Sequence, residues 1–148
     1  MPAARIGPKR EILVTVKIKG RSTIPGVPNM DIEQELIADS GSPTTLVDWL
    51  NIAPFFDHMS ATMGQVVKTN FGLVLQIFDL TMEIEVEDHG GGNAEIRQCS
   101  TMSAHFVSDD VPAFTPATGL LGMDQFDAIQ ADPVKSADGT RAYLAKRA

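Results

Sequence analysis

Between Leu80 and Glu87 apolar and polar residues alternate without a break, with Leu80, Met82, Ile84 and Val86 on one side and Thr81, Glu83, Glu85 and Glu87 on the other. Successive side chains of an extended strand point to opposite faces, so this pattern fits a half-buried strand and no amphipathic helix. The acidic side must face water, because an unpaired carboxylate is costly to bury. A chain that contains such a segment needs a sheet with one packed face.

Other segments repeat the pattern. Ile12, Val14, Val16 and Ile18 alternate with Leu13, Thr15, Lys17 and Lys19, and order is expected to begin near Glu11. From Met30 the alternation Ile32, Gln34, Leu36 leads into the short apolar run Leu36-Ile37-Ala38, which predicts a buried strand. Thr44 to Val47 reads as extended from its β-branched residues. Val66 to Leu75 has two apolar arms around Thr69-Asn70-Phe71-Gly72, a hairpin signal. Ile96 to Val107 reads as a return strand or two short ones. Asp48 to Met59, interrupted by Pro54, is a short irregular or helical excursion, Met123 to Gln130 a short helix, and the segment to Tyr143 and Leu144 a terminal strand. About seven short strands and at most two short helices predict an all-β barrel or sandwich.

At 148 residues the chain has the size of one domain. Residues 1–10, with Pro2, Gly7 and Pro8, read as a flexible basic leader, and 11–148 as a single domain. The net charge is −7. Residues 1–21 carry six Lys or Arg against Glu11, and the rest carries six basic against 18 acidic residues. The acidic body argues against nucleic acid as the partner. No apolar run is long enough for a membrane span, and MPAARIGPKR lacks the apolar core of a secretory signal. The expected address is cytoplasmic, or that of a domain released from a larger precursor. One cysteine, Cys99, and the scattered His58, His89 and His105 give no basis for a metal site or a cofactor.

The residues that carry candidate chemistry are Asp39-Ser40-Gly41, set where the apolar run meets a turn. Such a carboxylate is costly to bury unless it is hydrogen-bonded or shares a proton with another. Two brought together can hold one proton between them, the ionised member activating a water and the protonated one serving as acid. Ser40 offers a hydroxyl, and Gly41 lets backbone approach the carboxylate.

Leu36-Ile37-Ala38-Asp39-Ser40-Gly41-Ser42-Pro43-Thr44-Thr45-Leu46-Val47, followed downstream by Gly119-Leu120-Leu121-Gly122-Met123-Asp124, resembles the retropepsin-like (retroviral-type) aspartic peptidases in the order and type of both signatures. The resemblance covers roughly Glu11 to Ile129. It implies a closed retropepsin-like barrel with one short C-terminal helix, in which Leu120-Leu121-Gly122 crosses beneath the Asp39 turn. It also implies a homodimeric aspartic endopeptidase in which water is activated between the Asp39 carboxylates of two copies, acting on a peptide or protein substrate. Ser40 stands where Thr is commoner and keeps the hydroxyl, whereas Pro43 departs from the family pattern. The substrate-covering flap is best matched by the 66–75 hairpin, with Asn70, Phe71 and Gly72 at its tip. His89-Gly90-Gly91-Gly92-Asn93 is a rival flap that reads better as a connecting loop. The alternative is a catalytically inactive dimerisation or peptide-binding module. Asp124 and Asp127 lack any metal-loop spacing, and Asp124 reads as a cap or a surface charge.

Overall fold

The alternating segments form the centre of the structure, a computed structural model that describes residues 4–59, 62–69, 72–99, 102–105 and 119–148. Ile12–Gly20 is a strand, β2, because its every second residue is apolar and packs inward: Val14, Val16 and Ile18 are fully buried. It pairs antiparallel with Met30–Ala38, β3, in a register that runs from Leu13 opposite Ile37 to Gly20 opposite Met30. The other edge of β2 takes two short partners. Ala4–Ile6, β1, covers Ile12 to Val14, and Thr81–Val86, β7, covers Lys17 to Lys19. Ala4–Ile6, within the segment read from the sequence as a leader, is held by this pairing, and Arg5 makes a hydrogen-bonded ion pair with Glu35 at 2.7 Å.

Four further strands complete one side of the sheet. They are Leu46–Asp48 (β4), Thr62–Thr69 (β5), Gly72–Phe78 (β6) and Met102–His105 (β9). Glu95–Cys99 (β8) pairs with β7 at the opposite end, and Gly119–Leu121 (β10) lies in the middle. The order across the sheet is β5-β6-β9-β4-β10-β3-β2-β7-β8, with β1 beside β2. Most pairs are antiparallel, whereas β10 with β3 and β4 with β9 are parallel. The helices are Trp49–Phe56 (α1), which contains Pro54, and Met123–Ile129 (α2). Ala131–Lys135 (β11) and Ala142–Lys146 (β12) form a separate two-stranded sheet.

The expected closed barrel with one C-terminal helix is therefore corrected to an open, mixed, mostly antiparallel sheet with two short helices. A barrel closes only when its end strands pair. Here the ends are β5 and β8, at opposite sides of the sheet. Local alternation tells which face of a strand is buried and says nothing of which edges meet.

The core lies under the apolar face of β2, β3 and β7, where Phe126 and Ile129 of α2 and Leu144 of β12 pack against it. On β7 the inward Met82, Ile84 and Val86 are fully buried and the intervening glutamates are not. The outward Glu83 takes Lys19 of β2 at 3.0 Å. Trimming one methyl from this well-packed strand, Ile84→Val, is expected to lower unfolding free energy by about 1 kcal/mol. Urea titration followed by circular dichroism measures it, and a variant as stable as the parent would show that the β7 face is loosely packed.

Candidate functional site

β3 and β4 follow one another along the chain but are not neighbours in the sheet. β10 is inserted between them, with Gly119, Leu120 and Leu121 parallel to Leu36, Ile37 and Ala38 and Leu120 opposite Leu46. Residues 39–45 must therefore arch over the end of β10, and that arch carries Asp39-Ser40-Gly41. The structure thus brings together the two sequence segments singled out for their motifs.

The arch is fastened from behind. The Asp39 amide donates to the Leu121 carbonyl at 2.9 Å, and the Met123 amide donates to the Ser42 carbonyl at 2.8 Å. Ser42 closes the turn through its amide to the Asp39 carbonyl at 3.1 Å and its hydroxyl to the Thr44 carbonyl at 2.7 Å. Thr45, fully buried, ties the arch to α2: its hydroxyl donates to Asp124 Oδ1 at 2.7 Å and its amide to Asp124 Oδ2 at 3.1 Å. The same hydroxyl accepts from the Gly122 amide at 2.9 Å. Gly122 is needed at this crossing, since a Cβ there would stand 2.6 Å from the Thr44 carbonyl oxygen and 2.7 Å from that of Ser42.

Within the arch, the Gly41 amide donates to Asp39 Oδ1 at 2.9 Å. Asp39 is half-buried, Ser40 and Gly41 are exposed, and no described residue donates to Asp39 Oδ2. Leu120 and Leu46, with Ile37 against them, make a small apolar cluster apart from the main core. Asp124, read from the sequence as a cap or a surface charge, is instead a half-buried acceptor for two groups of Thr45 and for the Gln125 amide at 2.8 Å. The Thr45 and Asp124 partnership was missed because 79 positions separate them, and no local pattern links residues so far apart.

Asn70 and Phe71, placed at the tip of the expected flap, lie outside the described residues. Gly72 begins β6 and pairs with Thr69 of β5, so the hairpin itself is present. A cavity of about 600 Å³ opens at the other end of β2 and β3, lined by Lys19, Arg21, Asn29, Asp31, Asp79 and Thr81 among others. Its two cations stand among carboxylates, and it is remote from Asp39. Among the described residues no three His, Cys, Asp or Glu side chains gather as metal ligands. Burial pushes the Cys99 thiol up to about 12, with the charge of Asp124 adding to the effect, so it is inert as a nucleophile.

These findings correct the expected activity. A water-activating dyad needs two carboxylates sharing a proton. Among the described residues Asp39 accepts from the Gly41 amide and pairs with no second carboxylate, and the sheet that carries it is open. Neither an aspartic endopeptidase nor a peptide-binding cleft is supported. Among the described residues no helix is long and apolar enough to cross a membrane. No protein-family model matches the chain, and a search of curated proteins finds no match.

Proposed function

We propose that this chain is a self-associating interaction domain in which two copies meet through the Asp39-Ser40-Gly41 arch. The observation that carries this reading is the restraint of an exposed turn: Ser40 and Gly41 face solvent while β10 and α2 fix the arch through backbone and side-chain hydrogen bonds. A contact element that is already ordered loses little freedom on association. The half-buried Asp39 keeps one oxygen open to an external donor, and the Ser40 hydroxyl at the tip of a facing copy is such a donor. A two-fold interface uses the same patch on both sides, so a single patch that carries both acceptor and donor suits it. Hydrolysis forms no part of this proposal.

Light scattering on the purified chain at high micromolar concentration is expected to give twice the 15.9 kDa of one copy. Ser40→Lys, which places a bulky charge at the exposed tip, is expected to weaken association at least tenfold, about 1.4 kcal/mol, with the melting temperature unchanged. A parent protein that stays monomeric would sink the proposal, as would a dimer indifferent to Ser40→Lys.

A further inference from the structure

The connection between β7 and β8 is made of residues with little conformational preference of their own. Gly90, Gly91 and Gly92 have φ of 93°, 93° and 98°, and Asn93 has φ of 44°. Glycine reaches such angles at no steric cost but loses more freedom on ordering than any other residue, so a loop like this needs outside fastenings. They come from β12 and from the two carboxylates that enter the loop. Arg141 donates to Glu87 Oε1 at 2.6 Å, and the same oxygen accepts from the Gly92 amide at 3.4 Å. Asp88 accepts from Asn93 Nδ2 at 2.6 Å and from Lys146 Nζ at 3.0 Å, and Lys146 also donates to the Asn93 carbonyl at 2.8 Å. The Gly90 amide donates to the Tyr143 hydroxyl at 2.8 Å.

The strand below is held differently. The Glu87 amide donates to the Leu144 carbonyl at 2.9 Å, and the Lys146 amide donates to the Glu87 carbonyl at 2.8 Å. Leu144 and Ala145 are buried in or beside the core. None of these attachments takes or loses a proton, so the loop and the strand beneath it are fastened by separable means.

We propose that residues 88–93 form a strap that the Glu87 and Asp88 carboxylates hold against β12 and that acid releases while β12 stays on the sheet. Glu87 faces Arg141, which leads into β12, and Asp88 faces Lys146 of β12; around these cations stand Tyr143 of β12, Glu85 of β7, and Glu95 of β8 with its partner Arg97. The hydrogen bond from Arg141 holds the Glu87 carboxyl below its ordinary range, and that from Asn93 together with Lys146 does the same for Asp88. Folded values below the unfolded ones mean that the fastening is complete above the ordinary carboxylate range, near pH 4, and is lost as pH falls through the lowered values. Glu95, held down chiefly by Arg97, moves in the same direction. Once the carboxylates are neutral, Arg141 and Lys146 lose their anionic partners, and only the contacts of Gly90 with Tyr143 and of Lys146 with the Asn93 carbonyl still span loop and strand.

Backbone relaxation by NMR on the full chain tests this. The amides of Gly90, Gly91 and Gly92 are expected to pass from rigid order parameters of about 0.85 at neutral pH to below about 0.6 in acid. Leu144 and Lys146 amides keep their protection from hydrogen exchange over the same range. At neutral pH the double variant Glu87→Gln, Asp88→Asn is expected to show the same loop mobility, because it removes the charges and keeps the size. Loop amides that stay rigid in acid, or that loosen only together with Leu144 and Lys146, would overturn the proposal.

Discussion

Gly119→Val is expected to cost more than about 4 kcal/mol, a large share of the roughly 5–15 kcal/mol that keeps a domain of ordinary stability folded. Gly119 begins β10, where β3 and β4 close in from both sides. A Cβ on Gly119 would fall on the carbonyl oxygen of Leu46 and reach 3.2 Å from a methyl of Leu36. The Leu36 side chain can give a few tenths of an ångström, but the Leu46 carbonyl belongs to backbone held by β10 on one edge and β9 on the other. Overpacking against backbone forces strands apart, unlike overpacking against a flexible side chain. The measurement is urea unfolding by circular dichroism, with Gly119→Ala as the milder step in the same direction. A valine variant that unfolds within a few tenths of a kcal/mol of the parent would show that the crossing of β10 is looser than described.

Asp124→Ala is expected to cost about 3 kcal/mol, because it leaves the buried Thr45 hydroxyl and amide and the Gln125 amide without their acceptor. Asp124→Asn keeps one acceptor oxygen and is expected to lose about half as much. Thr45→Val removes the opposite partner and also the acceptor of the Gly122 amide. Since all these groups form one network, the double variant is expected to be clearly less destabilised than the sum of the two single ones. Strict additivity would mean that Thr45 and Asp124 act independently and that the arch is not anchored through them. On the proposed interface, loss of stability and loss of self-association part company at the arch: Ser40→Lys is expected to weaken association alone, and Asp124→Ala both.

The strands were legible in the sequence wherever a single face is buried. Ile12–Ile18 and Leu80–Val86 alternate because β2 and β7 each present one side to the core, and the sequence records that directly. The hairpin of β5 and β6 and the short helix α2 were legible from turn residues and spacing. β11 was missed, since Ala131-Asp132-Pro133-Val134-Lys135 has neither alternation nor a β-branched run and is a strand only because β12 pairs with it. The open sheet was illegible for a related reason: which strand stands at each end depends on long-range pairing, while periodicity is local. The Asp39 turn was found from a tripeptide, but its environment was not. The half-buried state of Asp39, the fastening through Thr45 and Asp124, and the absence of a second carboxylate among the described residues belong to the crossing of β10, and nothing within a few residues of Asp39 encodes it.

The place of β10 also sets when the arch can exist. Gly119 follows Asp39 by 80 positions, so the segment that separates β3 from β4 leaves the ribosome long after both of them. During that interval residues 39–45 have nothing to arch over, and the Asp39 amide has no Leu121 carbonyl to meet. Contacts between such distant parts of a chain form slowly, because a long loop must close before they give any return. The turn proposed to recognise a second copy is therefore among the last features to be completed, and on that proposal newborn chains would not join one another until each had finished its own sheet.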